Sequence, residues 1–438
     1  MYLITMNLKY PSLSERGNAL ASNPARIDLE LFMEANENLY HPEKNPDGAF
    51  PLNVAENQLS ATEIKNKLTT IFQKQQIPDW VMVYTSALGH PEVRATIAKF
   101  MSEHLCHCPI APENLGLAAG AAAVIETSTF LLANAGDIVV IPAPSYPMYT
   151  KDIGVKSHLE RYDLQTHFDI HELGTTGPVT TTLLDKVLDE LKANSKTFKI
   201  LLITAPDNPT GCRYTEKQLK TLSEWCTKHH IHMVVNEIYG LSLINEQETD
   251  KEIFCSFAKI MQRAQSDYLH LWYGFSKDFA MSGIRIGVAH SLNEAFLKGL
   301  DNVNVPHMVS NLAQWGIAEL LKDNTFVKSY INENKKRLFQ SYTLATKTLE
   351  NLEVPYVPAK GSFFIWADFS KYLKNNTDEG ETQLWLDIYN NTGVLLTPGK
   401  GFQHQKKGLF RIVFTAVPYK HLDVAMARMY NYLSERRI

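Results

Sequence analysis

The sequence lacks the features that mark several classes of protein. It has five cysteines among 438 residues, and their odd number and scattered positions argue against a disulfide framework and fit a reducing compartment. No apolar run approaches the ~18 residues that a membrane-spanning helix needs. Residues 1–6 carry neither a basic segment nor an adequate apolar one, so we expect no signal peptide. We therefore expect a cytoplasmic protein with no membrane partner.

The chain also has little net charge, with a formal value of −4 at pH 7. This balance gives no electrostatic reason to expect a nucleic-acid partner. One cluster contains residue types that bind metals, His104-Leu-Cys-His-Cys108. No second cluster with zinc-like spacing accompanies it, so we interpret it as the end of a helix over residues 91–105 and expect no metal.

Apolar runs alternate with amphipathic segments between about residues 115 and 290. The predicted strands include residues 137–142, 198–204 and 268–273, and a helix is predicted over 215–228. This alternation is typical of βαβ units and predicts an α/β fold with a mostly parallel sheet flanked by helices. Ligands of such sheets bind beyond the carboxyl ends of the strands, so the loops that follow the strands are the first candidates for a site.

The last part of the chain has a different pattern. Helices are predicted over residues 311–321 and 324–352, and strands within 354–368, 393–399 and 409–416. We expect these segments to form a smaller α+β domain. The predicted organisation is an arm with part of the small domain over 1–60, a large domain over 61–325 and a small domain over 326–438.

A lysine and an arginine lie eight residues apart after the strand predicted at 268–273. They are Lys277, preceded by Ser276, and Arg285, which lies within Gly283-Ile-Arg-Ile-Gly287. A lysine there is either a solvated charge or a buried amine made reactive by its surroundings. The segment resembles the Schiff-base lysine motif of the class I/II aminotransferases, which are fold-type-I enzymes of pyridoxal phosphate (PLP). The resemblance implies that PLP forms an aldimine with Lys277 and that its phosphate pairs with Arg285.

The resemblance implies further contacts to the PLP phosphate. A strand breaks at Gly120 before a helix of small residues, and the free N–H groups at such a helix start bind anions. Gly120, Ala121 and Ala122 are therefore expected to bind the phosphate through their backbone. Tyr84 matches a family tyrosine that reaches the phosphate of the other subunit. Gly274 replaces a phosphate-binding serine of the family, and Ser276 is a nearby hydroxyl that can assist.

Three more positions match residues that contact the PLP ring in the family. Tyr146 matches the aromatic residue that stacks on the pyridine ring, an arrangement that desolvates the cofactor and fixes its plane. Asn208, in an Asn-Pro-Thr-Gly turn, matches an asparagine that donates to the phenolic oxygen and also faces the substrate. Tyr239 matches a catalytic-site tyrosine that bonds the same oxygen.

One departure affects the chemistry that the resemblance implies. Asn236 occupies the position of the family aspartate that pairs with the pyridine nitrogen and keeps it protonated. An asparagine carries no charge, although its amide can donate to a neutral nitrogen or accept from a protonated one. Glu237 is no simple substitute, because adjacent strand residues point to opposite faces. A strand shifted by one residue would reverse these two assignments.

Two residues besides Asn208 are expected to contact the substrate. Arg411, within Phe410-Arg-Ile-Val-Phe, matches the family arginine that binds the α-carboxylate, for which a guanidinium fork is suited. Glu56 lies in Ala55-Glu-Asn-Gln58, which is similar to a segment of 1-aminocyclopropane-1-carboxylate (ACC) synthases. The family builds its active site between two subunits, so we also expect a homodimer.

These motifs occur in family order along nearly the whole chain. We predict the PLP-dependent transferase fold type I, with a seven-stranded sheet in the large domain. The first functional hypothesis is an aminotransferase that acts on an L-amino acid and a 2-oxo acid. The second is a lyase resembling ACC synthase, acting on S-adenosylmethionine. The third is a PLP-binding protein with little turnover, which only Asn236 and Gly274 favour.

Overall fold

The computed structural model describes residues 10–22, 26–166, 170, 176–244 and 254–436. Residues 1–6, considered above for a signal peptide, lie outside these ranges. Within them the α-helices are α1 Glu15–Ser22, α2 Leu29–Glu37, α3 Ala61–Lys74, α4 Pro91–Phe100, α5 Ala121–Leu132, α6 Tyr149–Gly154, α7 Thr181–Ala193, α8 Glu216–Lys228, α9 Phe257–Ala264, α10 Phe275–Asp278, α11 Glu294–Val303, α12 Asn311–Lys322, α13 Asn324–Asn351, α14 Asp378–Thr392 and α15 Tyr419–Ser434. The strands of the same ranges are β1 Phe50–Pro51, β2 Leu115–Ala118, β3 Ile138–Ala143, β4 Glu160–Gln165, β5 Phe198–Thr204, β6 His232–Asn236, β7 Leu269–Gly274, β8 Gly287–Ser291, β9 Phe364–Asp368, β10 Val394–Leu395, β11 Thr397–Pro398 and β12 Leu409–Val413.

A seven-stranded sheet forms the centre of the fold, in the order β2-β8-β7-β6-β5-β3-β4. The pairs from β7 to β4 are parallel, whereas β8 is antiparallel to both of its neighbours. The prediction of a mostly parallel seven-stranded sheet flanked by helices is confirmed.

The central strands are buried on both faces, as is usual where helices cover a parallel sheet. Every residue of β6 and β7 is buried. Val234 and Trp272 pack with α5, α6 and α11 on one face, and Val235 and Leu271 pack with α8, α9 and α12 on the other. Strand residues alternate between the two faces. The face on which a side chain at a strand end lies therefore follows from its position in the strand.

Asn236 and Glu237, which follow one another at the end of β6, lie on opposite sides of the sheet. Asn236 donates its amide to the hydroxyl of Tyr149 in α6, over 3.0 Å. Glu237 accepts from the hydroxyl of Ser256 at 2.7 Å and from the backbone N–H of Phe257 at 2.5 Å. Glu237 therefore binds the start of α9, on the face away from α6.

A second core surrounds a smaller antiparallel sheet of order β11-β12-β9, packed with helices that include α13, α14 and α15. The segment predicted at 393–399 divides into two short strands. The first, β10, pairs with β1 from the N-terminal region, and the second, β11, pairs with β12. The smaller α+β unit is thus present with an N-terminal contribution, and the domain boundaries given above remain a prediction.

The helix predicted over residues 91–105 is α-helical only as far as Phe100. After Phe100 the chain continues as a π-helical turn over Met101–Leu105, in which the N–H of Cys106 donates to the carbonyl of Met101. His104 at this turn contacts the side chain of Asn324 at 2.8 Å. The described ranges contain no group of three or more His, Cys, Asp or Glu side chains that could hold a metal ion. Nor does any helix within them combine the length and apolarity needed to cross a membrane.

The carboxyl group of Glu237 makes the stability of the fold depend on pH. Burial raises its pKa from 4.5 to about 8, although the bonds from Phe257 and Ser256 oppose the shift. The favourable contribution of a group with a raised pKa is complete below the unfolded value and is lost as the pH rises through the folded value. The relevant window therefore runs from about pH 4.5 to about pH 8.

We predict that Glu237→Gln reduces this pH dependence. Between about pH 6 and about pH 8, the free energy of unfolding should fall by about 2 kcal/mol less in the variant than in the wild type, at about 1.4 kcal/mol for each pKa unit. Urea denaturation followed by circular dichroism measures this difference. Glu92→Gln, at an exposed position of α4, is the control and should follow the wild type. Equal pH dependence in Glu237→Gln and the wild type would show that Glu237 is ionised in the folded protein.

Candidate active site

A cavity of about 310 Å³ opens where the large sheet meets the smaller one. Its lining includes Tyr146 after β3, Lys277 in α10, Arg411 in β12 and the backbone segment 53–55. The first two lie beyond carboxyl ends of the large sheet, at the place where ligands bind in such folds. The structure therefore brings together three of the residues selected from the sequence.

Lys277 reaches the cavity because β7 ends at Gly274 and continues directly into the short helix α10. Its Nζ donates to the carbonyl of Ala55 over 2.6 Å. Burial lowers the pKa of Lys277 from 10.5 to about 8, and the neighbouring cations Arg411 and Arg285 lower it further, whereas Glu56 raises it. A lysine with a pKa of about 8 is neutral in about a tenth of the molecules at pH 7 and in half of them at about pH 8, and the neutral amine is the nucleophilic and basic form.

Glu56 lies close enough to influence Lys277 but is held by another partner. Its carboxylate accepts from the hydroxyl of Ser282 at 2.7 Å, and its carbonyl accepts from Thr415 at 2.7 Å. The predicted segment 55–58 therefore connects the loop after Lys277 with the end of β12. Glu56 is not among the residues that line the cavity, and its contact with a substrate stays a prediction.

The turn between β2 and α5 forms a cradle suited to a phosphate. Gly120 has φ of 92°, and a Cβ at this position would overlap with the guanidinium of Arg285. A Cβ at Gly287 would likewise collide with the backbone of Gly120. These two glycines allow Arg285 and the N-terminus of α5 to lie side by side, which places a cation and free N–H groups in one small region.

Of the other residues predicted to contact the phosphate, Ala121 and Ala122 lie at the start of α5 and Ser276 lies in α10. Ala122 is exposed, and the first N–H groups of a helix have no partner within it. Ser276 is buried, and its carbonyl accepts from Ser282 at 3.1 Å. A Cβ at Gly274 would lie 3.7 Å from the Cβ of Ala121. A serine at position 274 would therefore direct its side chain towards the start of α5. Gly274 places no hydroxyl there.

The side chains of Tyr149, Asn236 and Thr204 form a hydrogen-bonded group next to Tyr146. The sequence did not predict this group. The Tyr149 hydroxyl accepts from the Asn236 amide and lies 2.6 Å from the Thr204 hydroxyl, while Asn236 Oδ1 accepts from the N–H of Ile238. The rings of Tyr146 and Tyr149 meet edge to face. Tyr149 lies three residues after Tyr146, but only the fold shows that the ends of β5 and β6 meet it.

Arg411 is buried and has no carboxylate partner among the described residues. Nη1 donates to the side chain of Asn208 at 2.9 Å and Nη2 to the carbonyl of Asn53 at 2.5 Å, while Nε is buried without a hydrogen bond. The guanidinium also lies over the rings of Phe364 and Phe402. Burial lowers the pKa of Arg411 from 12.5 to about 10. A buried cation of this kind is stabilised when an anion binds beside it.

The two predicted tyrosines outside the cavity lining have contrasting environments. Tyr239 is 3% exposed, and its ring packs edge to face against Phe363 and Phe364. Burial raises the pKa of Tyr239 well above its usual value, and Arg411 opposes the shift. Tyr84, in contrast, is 97% exposed. The single chain does not bring Tyr84 to the site.

The chain is similar to known proteins in both sequence and structure. A family model described as aminotransferase class I and II matches residues 51–429. A 1-aminocyclopropane-1-carboxylate synthase of Nicotiana tabacum is 28% identical over 410 residues, covering 91% of this chain and 82% of that protein. A probable inactive 1-aminocyclopropane-1-carboxylate synthase-like protein 2 of Mus musculus is 29% identical, covering 97% of this chain and 73% of that protein.

Solved structures show the same fold at lower identity. An aspartate aminotransferase of Thermus thermophilus with maleate has a TM-score of 0.78 at 19% identity, covering 97% of this chain and all of that chain. An aromatic aminotransferase of Pyrococcus horikoshii has a TM-score of 0.74 at 21% identity, covering 92% of this chain and 99% of that chain. The predicted fold type is confirmed.

The lowered pKa of Lys277 predicts an unusual reactivity. In cofactor-free protein we expect acetylation of Lys277 by acetic anhydride to reach half of its maximum rate near about pH 8 and to level off above it, as the amine becomes neutral. Competitive labelling followed by mass spectrometry measures the rate. Free Nα-acetyl-lysine amide in the same reaction is the internal reference, and its rate should continue to rise, because an unperturbed lysine amine has a pKa of about 10.4. A rate for Lys277 that rises in parallel with that of the reference would contradict the buried position of the amine.

Proposed function

The chain belongs to the class I and II aminotransferase family, whose cofactor is pyridoxal phosphate, and we propose that it transfers the amino group of an L-amino acid to a 2-oxo acid. One observation carries this proposal: the amine of Lys277 and the guanidinium of Arg411 line the same cavity. The first is suited to act at the substrate amino group and Cα, and the second to hold its α-carboxylate.

The residues present fit the cofactor. Arg285 and the N–H groups of Ala121 and Ala122 would hold the phosphate. Gly120 leaves room for Arg285, because a Cβ at position 120 would fill the space that the guanidinium occupies, but its own N–H already donates to the carbonyl of Ala118 at 2.6 Å. Tyr146 would face the ring, and Asn208 and Tyr239 would bind at its phenolic oxygen. When bound, PLP supplies an aldehyde that takes the substrate amine and a ring that withdraws electrons from Cα.

Lys277 is proposed as the general base and acid. Its pKa of about 8 is close to the pH at which proton transfer is efficient in both directions. The neutral Nζ accepts the proton from the substrate Cα and returns it later in the reaction. The carbonyl of Ala55, at 2.6 Å, holds the amine on the cavity side of α10 before the substrate enters.

Arg411 is proposed to orient the substrate. Its present partners are the neutral oxygens of Asn208 and Asn53, so a carboxylate would bring the first negative charge in direct contact with it. Bidentate pairing fixes the direction of the carboxylate as well as its distance. This orientation would direct the Cα proton towards Lys277.

A lyase reaction is the second candidate. Two observations favour it. The segment 55–58, which resembles ACC synthases, contacts Lys277 through the carbonyl of Ala55, and the charge of Glu56 raises the pKa of that lysine. Relatives such as the Nicotiana tabacum protein are named 1-aminocyclopropane-1-carboxylate synthases. In such a lyase Lys277 would take the same Cα proton, and the γ-substituent of the substrate would then leave.

The two reactions are separated by their products. With PLP-loaded protein, we expect ketoacid-dependent formation of a new amino acid and no release of methylthioadenosine from S-adenosylmethionine. Arg411→Lys should raise KM for every amino acid substrate by about 10- to 100-fold, because a hydrogen bond to a charged group contributes about 1.5–3 kcal/mol, and should leave PLP bound.

Arg428→Lys is a matched control for that substitution. Arg428 also lies over two aromatic rings, those of Tyr40 and Phe50, and donates to backbone carbonyls, but it does not line the cavity. Its KM values should equal those of the wild type. Methylthioadenosine release without amino transfer would replace the first candidate by the second, and neither product would favour a PLP-binding protein with little turnover. Unchanged KM in Arg411→Lys would place the carboxylate site elsewhere.

We also propose that the protein is a homodimer whose partner supplies Tyr84. Three consecutive apolar or aromatic side chains are strongly exposed, Met82 at 76%, Val83 at 60% and Tyr84 at 97%. A run of such residues is unfavourable in water and is typical of an interaction surface. A second copy is the expected occupant, because Tyr84 matches a residue that acts across the family's dimer interface.

We predict that Val83→Glu converts the dimer to a monomer, which sedimentation velocity would detect. Tyr84→Phe should leave the dimer intact and weaken PLP binding, since only a hydroxyl that bonds the phosphate is removed. Tyr430→Glu, on the outer part of α15 with 38% exposure, is the control and should sediment like the wild type. A wild-type protein that is monomeric, or a Val83→Glu protein that remains dimeric, would contradict the proposal.

A further inference from the structure

Two lysines on the cavity lining, Lys151 and Lys400, have no role in the proposed reaction or in the proposed binding of PLP. Resting on the aminotransferase proposal, we propose that the substrates carry a second anionic group in their side chain, and that Lys151 and Lys400 bind it. Both lysines line the cavity together with Lys277 and Arg411. No motif of the sequence analysis included either of them, because they come from different parts of the chain and meet only in the fold.

Among the described residues that line the cavity there is one carboxylate, Asp28, and it already has partners. Asp28 accepts from Arg26 Nε at 2.8 Å and from Arg26 Nη2 at 2.5 Å. It also accepts from the Asn53 amide at 2.7 Å and from the Thr397 hydroxyl at 3.3 Å. Asp28 and Arg26 therefore neutralise each other, and their pair leaves four further cationic side chains on the lining, Lys151, Lys277, Lys400 and Arg411.

Two of these four cations have assigned roles, and two do not. Lys151, which is half-buried in α6, forms no ion pair with any described residue. Lys400 lies 4.0 Å from Asp378, with both side chains about half exposed, and such a surface pair contributes little. Asp152, next to Lys151 in sequence, does not line the cavity. Neither lysine is therefore firmly paired with a carboxylate.

The arrangement discriminates between classes of substrate by charge. A substrate α-carboxylate at Arg411 leaves Lys151 and Lys400 without an anion, whereas a dicarboxylic acid supplies one. The free energy of like charges gathered around a cavity is lowered when an anion enters it. A sulfonium cation such as that of S-adenosylmethionine would be disfavoured in the same position. The cavity thus favours amino acids of the aspartate and glutamate type and their 2-oxo acids.

Substrates of equal shape and different charge test this inference. With PLP-loaded protein, kcat/KM for the half-reaction should be about 10- to 100-fold higher for aspartate or glutamate than for asparagine or glutamine, the range expected for a hydrogen bond to a charged group. Lys151→Met combined with Lys400→Met should remove most of this preference. Lys151→Arg in the Lys400→Met protein should restore part of it. Lys186→Met, at an exposed position on α7, is the matched control and should keep the full preference.

A binding measurement separates this inference from the proposed function. Isothermal titration calorimetry of the PLP-loaded protein should show tighter binding of succinate than of butyrate, and the double lysine variant should bind both equally. Amino transfer that is equally fast with amides and acids, and unaffected by the lysine variants, would overturn the inference and leave the aminotransferase proposal standing. Absence of amino transfer with every acid would overturn the aminotransferase proposal. In that case equal binding of succinate and butyrate by the wild type would also overturn the anionic site.

Discussion

Two cationic side chains share one cavity, and much of the surrounding structure keeps them there. Lys277 comes from the end of β7 in the large sheet, and Arg411 comes from β12 in the smaller one. The segment 53–56 lies between them and offers a carbonyl to each, that of Asn53 to Arg411 and that of Ala55 to Lys277. The N-terminal region therefore stabilises both cations through neutral oxygens, which an anionic substrate can supplement with a negative charge.

Asn236 is uncharged, and its buried side chain has hydrogen-bond partners for both its amide and its oxygen. The amide of Asn236 donates to Tyr149, its oxygen accepts from Ile238, and the Tyr149 hydroxyl also contacts Thr204. Burial raises the pKa of Tyr149 to about 12, so this group of side chains is neutral at physiological pH. A cofactor nitrogen placed against it would meet neutral hydrogen-bonding groups rather than a carboxylate.

The sequence predicted the residues that follow from local pattern and missed those that depend on packing. Strand ends and glycine turns are local, so Lys277, Gly120 and Arg285 could be selected, and the side of Glu237 followed from strand alternation. Tyr149, Asn53, Lys151 and Lys400 could not, because each gains its position from a contact with a distant segment. The division of 393–399 between two sheets was missed for the same reason, since its partners β1 and β12 lie on opposite sides of it in the sequence.

We propose that Lys277 is the residue that binds pyridoxal phosphate covalently in this cavity. Borohydride reduction of the PLP-loaded protein, followed by peptide mapping with mass spectrometry, identifies that residue. We expect the reduced cofactor on the peptide containing Lys277 and none in a Lys277→Ala protein treated in the same way. Reduced cofactor on a different lysine, or an equal amount in Lys277→Ala, would show that Lys277 is not the attachment site.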